Sequence, residues 1–198
     1  MNASIYMRPD KPMFLEVKDR SELILEKQPV QRLTIPVVDK STECHVTPKD
    51  VAQRMVQYAS PGADEIVLEP EGGTGNIVAE ILDYGVSPHG VHIVEREFSL
   101  FAYLVKRFET KPVKLTKGCF LDFVRKTDLR AGCIIMNPPF KPVMKHIEAA
   151  MRVLSPFGCI VALVPESFEY PNMIELEKLP DTTFSTTKVR TKIVYLTK

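Results

Sequence analysis

Asn137, Pro138, Pro139 and Phe140 follow directly on the apolar run Ala131-Gly132-Cys133-Ile134-Ile135-Met136. A run of that length and composition reads as a short buried strand. Two consecutive prolines have fixed φ and no N–H, so the chain just beyond the strand is stiff and cannot join a helix or a ladder. The Asn137 amide and the Pro138 carbonyl are thereby presented at a strand's C-terminal end, where open α/β sheets place their ligand sites. Two oxygen acceptors and an aromatic ring on a rigid clamp suit a planar group carrying an NH₂.

Three other stretches carry residues of the types a bound ligand needs. Ile66-Val67-Leu68-Glu69 reads as a buried strand and runs into Pro70-Glu71-Gly72-Gly73-Thr74-Gly75-Asn76. Glycine suits a turn where backbone approaches a ligand or takes positive φ. No Lys-Ser/Thr follows these glycines, so the loop is not a P-loop, and the dinucleotide fingerprint is incomplete. Gly90 to Glu95 makes a second strand ending in a carboxylate about twenty residues beyond the loop, the place where an acid accepts ribose hydroxyl protons. Thr47-Pro48-Lys49-Asp50 opens a helix, with Thr47 expected as N-cap and Pro48 at the first helical position.

The elements that must position these residues alternate along the chain. Val51, Ala52, Met55, Val56 and Ala59 give the first helix its apolar face, and Pro61-Gly62 stop it. Ile77, Val78, Ile81 and Leu82 mark the second helix. Phe98, Phe101, Leu104, Val105 and Phe108 recur at helical spacing, a stripe expected to pack in the core. Val113 to Thr116 is a third strand. Met144, Ile147, Met151 and Leu154 define a helix ended by Ser155-Pro156-Phe157-Gly158, and Cys159 to Val164 is a fully buried strand. Residues 165 to 180 read as a loop with one helical turn at most. Thr182 to Val189 and Thr191 to Leu196 are expected to close the chain as a hairpin. Helices alternating with short apolar strands predict an α/β fold built on a parallel sheet with helices on both faces.

A chain of 198 residues supports one domain with a substantial core. Residues 1–43, with Pro9, Pro12, Pro29 and Pro36 among mixed charges, read as an N-terminal arm packed on a domain of residues 44–198, with a short edge strand over Val30 to Val38. The net charge of +1 advertises no polyanionic partner, so any nucleic-acid surface must be a local patch. Candidates for phosphate contacts are Lys49, Arg54, Lys141, Lys145, Lys188, Arg190 and Lys192. Cys44, Cys119, Cys133 and Cys159 form no C-x-x-C pair, which points to reduced thiols and no metal site. The absence of a bilayer-length apolar run or a signal-peptide h-region points to a cytoplasmic protein with no membrane partner.

The clamp, the Glu-Pro-x-x-Gly-x-Gly loop and the preceding Thr-Pro together resemble S-adenosylmethionine-dependent amino methyltransferases, most of all the adenine-N6 DNA methyltransferases with an Asn-Pro-Pro-Phe motif. The resemblance covers about residues 44 to 197 and implies a Rossmann-like seven-stranded methyltransferase sheet with a C-terminal antiparallel hairpin. It implies S-adenosyl-L-methionine as cofactor, with the Thr47-Pro48 backbone, Glu69, Pro70, Gly73 and Gly75 at its methionine end and Glu95 on its ribose. Cys119 and Phe120 fall in the segment that resembles the family's adenine-binding Asp-Phe. A thiol there is a poor substitute for a carboxylate acceptor. Asn137, Pro138, Pro139 and Phe140 become the catalytic set, with Phe140 stacking on a target base that must be flipped out of a duplex.

The implied reaction is methyl transfer to the exocyclic N6 amine of adenine in DNA. The clamp suits equally an adenine in RNA or a protein glutamine amide, and a non-catalytic module that has kept the fold is the reading from another class. The chain leaves no room after the clamp for a target-recognition domain, so a partner subunit, a short relaxed recognition element or the arm would do the reading.

Overall fold

The computed structural model describes residues 33–36, 45–184 and 189–198. These residues belong to one unit, Leu33–Lys198. The expected arm over 1–43 lies outside the described residues except for 33–36, which carry no strand. Cys44 and Lys188 lie outside them too.

Strand and helix alternate as the apolar pattern predicts. The first half runs α1 (Lys49–Ala59), β1 (Val67–Glu69), α2 (Asn76–Tyr84), β2 (Val91–Glu95), α3 (Phe98–Arg107) and β3 (Lys114–Lys117). The second runs α4 (Phe120–Lys126), β4 (Ala131–Met136), α5 (Val143–Val153), β5 (Leu154–Pro165), β6 (Ile174–Leu179) and β7 (Thr191–Thr197). The seven strands form one sheet in the order β3-β2-β1-β4-β5-β7-β6. β1 pairs in parallel with both β2 and β4, Val67 lying opposite Val91 on one side and Cys133 on the other. β7 is antiparallel to β5 and to β6. The order reverses between β1 and β4, so the loops leaving them diverge to opposite faces and open a crevice at their C-terminal ends.

Side chains alternate across the sheet and divide the core into two layers. Cys133 and Ile135 face Val51, Met55, Ile77 and Ile81 of α1 and α2. Ile134 and Met136 face Ile147, Ala150 and Val153 of α5, with Phe120 of α4. Both layers are built from buried apolar side chains, and each fully buried aliphatic side chain contributes about 1.5–3 kcal/mol.

Several expectations need correction. Pro48, not Thr47, is the N-cap of α1, and no side chain caps the helix. In the α3 stripe Leu104 is buried and Phe108 nearly so, but Phe98 is 65% exposed and Val105 48%. The Lys117 ammonium sits 4.4 Å from the Phe98 ring centroid, which gives that ring a polar partner in place of the core. Leu154 opens β5 directly instead of ending α5, and Ser155 to Gly158 form a bulge in the β4–β5 pairing with Phe157 wholly exposed at φ 65°. The hairpin is real, but its first strand is β6 at Ile174–Leu179, inside the stretch expected to be a loop. Residues 181–184 are turn and coil, and 185–188 lie outside the described residues.

Candidate functional site

A cavity of about 300 Å³ opens at the C-terminal ends of β1, β2 and β4. Each of these short strands ends in a residue of the expected site or hands over to one. β1 ends in Glu69, and the chain then bends through Pro70 into the glycine loop, where Gly73 takes φ 53° and Gly75 φ 78°. A Cβ on Gly75 would lie 2.8 Å from both Leu104 Cδ2 and Phe108 Cε2, so α3 can pack under the loop only because this residue is glycine. β2 ends in Glu95 and β4 leads into Asn137.

Ten of the expected site residues line this cavity: Thr47, Glu69, Pro70, Gly73, Gly75, Glu95, Cys119, Phe120, Asn137 and Pro139. Pro48, Pro138 and Phe140 stand outside its wall. Phe140 packs on His45, with ring centroids 5.1 Å apart and planes 25° apart, and meets Phe184 edge-on. A 5.1 Å spacing is one stacking distance, so no third ring fits between His45 and Phe140.

One end of the cavity is acidic. Glu69 is 2% exposed, and its Oε2 has no hydrogen-bond partner. Burial drives the Glu69 carboxyl well above its ordinary pKa, the charges of Glu71 and Glu95 add to this, and the Val78 N–H in the first turn of α2 opposes it. Glu95 is gripped by backbone: Oε2 accepts the Gly73 N–H at 2.7 Å and Oε1 the Glu97 N–H at 2.6 Å. Burial raises its pKa while these bonds pull the other way. A carboxylate fixed like this keeps lone pairs to offer a diol.

Sequence reasoning missed Glu71 and His146. Glu71 Oε1 lies 2.6 Å from His146 Nδ1, both line the cavity, and Glu71 Oε2 is buried without a partner. Burial raises the Glu71 pKa, against the pull of His146. The one available signal was a second acid inside a loop otherwise built for close approach. His146 gave no signal, since it falls on the apolar face of α5 and reaches Glu71 across 75 positions of chain.

The clamp is oriented from outside its own strand. The Asn137 Nδ2 donates to the His45 carbonyl at 2.9 Å and to Thr47 Oγ1 at 3.0 Å. With both N–H groups committed, the carbonyl oxygen Oδ1 is the pole left for a ligand. The Thr47 hydroxyl therefore serves the clamp, where sequence reasoning expected it to cap α1.

Three of the expected phosphate contacts are engaged in ion pairs. Lys49, itself exposed, lies 3.7 Å from Glu80. Arg54 is paired with Asp50 and Glu177, each at 3.0 Å, and the Lys192 side chain is only 3% exposed between Glu169 and Glu175. Lys145 lines the cavity.

No protein-family model and no curated protein sequence matches this chain. Solved structures do share its fold. The M protein of the type I restriction enzyme EcoKI superposes with a TM-score of 0.66 at 16% identity, over 79% of this chain and 44% of that one. The 23S rRNA methyltransferase ErmE gives 0.65 at 15% identity, over 78% and 69%. A type I restriction-modification methyltransferase subunit from Streptococcus thermophilus gives 0.65 at 17% identity, over 78% and 45%. The chain spans under half the length of the two restriction-system proteins. The sheet order, the crevice between β1 and β4 and these superpositions together identify the fold as the seven-stranded α/β fold of methyltransferases.

Proposed function

We propose that this protein transfers a methyl group from S-adenosyl-L-methionine to the exocyclic N6 amine of adenine, with DNA as the first substrate. The observation that carries this reading is the Asn137 amide, held by its N–H pole so that an acceptor oxygen is left at the edge of a nucleotide-sized crevice.

The residues present fit the cofactor. An orphaned, fully buried Glu69 oxygen and the neighbouring acids suit a ligand carrying positive charge. Glu95, fixed by Gly73 and Glu97, suits ribose hydroxyls, and Cys119 and Phe120 line the same cavity for the base. When bound, the cofactor supplies a methyl group on a positively charged sulfur. The protein's own task is to make a poor nucleophile competent, because the adenine amine lone pair is delocalised into the ring. Asn137 Oδ1 and the Pro138 carbonyl each accept one N–H of the amine, which turns its lone pair out of the ring plane. This is positioning and electrostatic preorganisation, with no strong base required. Phe140 serves the target ring by stacking. With His45 already against one face, the ring must use another face or displace the imidazole.

Adenine in RNA is the second reading, favoured by the likeness to an rRNA methyltransferase. The likeness to two restriction-system subunits supports DNA and a partner subunit that supplies target recognition. The test is incubation with methyl-labelled S-adenosylmethionine and, separately, unmethylated duplex DNA, total RNA and a protein extract, beside Asn137→Ala. Label entering DNA as N6-methyladenine and lost in the variant supports the first reading. Label in RNA or protein moves the substrate and keeps the chemistry. No label anywhere, with no cofactor binding by calorimetry, overturns the enzyme reading.

A further inference from the structure

The segment His45-Val46-Thr47 lines the crevice and meets both the clamp that follows β4 and the start of α2. It is tied to each of the two by side-chain amides whose orientation the chemistry leaves no choice about. On the clamp side, Asn137 Nδ2 meets the His45 carbonyl, which can only accept, so the face turned to it must be the NH₂. The second N–H goes to Thr47 Oγ1. On the loop side, Asn76 at the start of α2 donates Nδ2 to the Thr47 carbonyl at 2.8 Å, while its Oδ1 accepts from Arg107 Nη1 at 3.0 Å. Arg107 is a donor only, so this amide is fixed as well. The same guanidinium nitrogen also donates to the Thr74 carbonyl in the glycine loop. An unbroken run of hydrogen bonds therefore leads from α3 through Asn76 and Thr47 to Asn137.

We infer that Thr47 is a positioning residue for the methyl-accepting amine: its hydroxyl, with the His45 carbonyl, holds the Asn137 amide so that Oδ1 faces the substrate. A reversed amide would set NH₂ against NH₂, two donors with no acceptor between them. The resemblance to amino methyltransferases assigns the Thr47-Pro48 backbone to the cofactor. The role inferred for the hydroxyl belongs to the side chain and is separate from that of the backbone, whose Thr47 carbonyl accepts from Asn76. It rests on the reading of Asn137 as the substrate acceptor.

Thr47→Val keeps the shape and removes the acceptor; Thr47→Ser keeps the acceptor. The full chain is assayed for single-turnover methyl transfer and, by calorimetry, for S-adenosylmethionine affinity. The expected result is a fall of about 10- to 100-fold in the transfer rate of Thr47→Val at unchanged cofactor affinity, with recovery in Thr47→Ser. An unchanged rate, or a loss of cofactor affinity that accounts for the whole effect, overturns the inference. A readout independent of activity is the Asn137 side-chain amide in an ¹⁵N correlation spectrum, assigned by its disappearance in Asn137→Asp. Its two N–H signals should be slow to exchange in the native chain, and one should become fast in Thr47→Val and stay slow in Thr47→Ser. If the native protein transfers no methyl group but this pattern holds, the substrate reading fails and the amide geometry stands. If neither signal responds to Thr47→Val, the geometry fails whatever the activity.

Discussion

Glu69 sets a conflict between stability and binding within one side chain. A buried carboxyl with a raised pKa favours the folded state while protonated, and that advantage is lost as pH rises from the ordinary carboxyl range through the raised value. Glu69→Gln keeps an acceptor for the Val78 N–H and cannot ionise. Its thermal stability should therefore exceed that of the native protein by an amount that grows with pH, while its affinity for S-adenosylmethionine falls about tenfold or more. Thermal unfolding across pH, read beside calorimetry, checks both halves. A flat stability difference would mean that Glu69 is not the group that titrates. Cys119 is the opposite case, a position with room for chemistry it does not perform. It precedes α4 and lines the cavity with a thiol, a weak acceptor. Cys119→Asp should tighten cofactor binding by several-fold to about tenfold, again by calorimetry. That Asn137, Glu95 and the glycines would meet at one crevice was legible residue by residue, because each has a chemistry that few other types supply. His146 and Glu71 were not, because what defines them is a contact between distant segments.

At the scale of elements, the glycine loop depends on α3 lying directly beneath it. Gly75 combines a left-handed φ of 78° with a Cβ direction already filled by Leu104 and Phe108. Gly75→Ala should destabilise the fold by about 2–4 kcal/mol, the sum of left-handed strain and overpacking. Cofactor affinity should fall with it, and denaturant unfolding gives the first quantity directly. The strands that run through the core were legible because both faces are covered and their residues are uniformly apolar. β6 was not. Its sequence, Ile174-Glu175-Leu176-Glu177-Lys178-Leu179, carries charges at half its positions and lies at the sheet edge. It is held by its ladder to β7, and Glu177 takes hydrogen bonds from Arg54 at 3.0 Å and Tyr58 at 3.2 Å across to α1. An edge strand with one covered neighbour has no apolar run to show, and charges there also discourage pairing with other chains.

Across the whole molecule, a net charge of +1 leaves any nucleic-acid binding to local contacts, and three of the expected cations are engaged in ion pairs. Affinity for duplex DNA should therefore vary only modestly with salt, with a log–log slope near about −2 to −4. Lys145, at the cavity wall, is expected to be one contributor, and Lys145→Ala should make the slope shallower by about one. A steep slope in the native protein, or none at all, would refute this picture. Sequence by itself determined the alternation of elements, the α/β class and which loops and strand ends would gather at one crevice. Those follow from local periodicity and from residue types with narrow chemical uses. Only the tertiary structure decided the strand order, the place of β6 and the two pairings that give the crevice its character, Glu71 with His146 and Asn137 with the segment from His45 to Thr47. The reason is physical: a hydrogen bond spanning some 90 positions of chain leaves no periodic trace, because each partner satisfies its own local pattern without it.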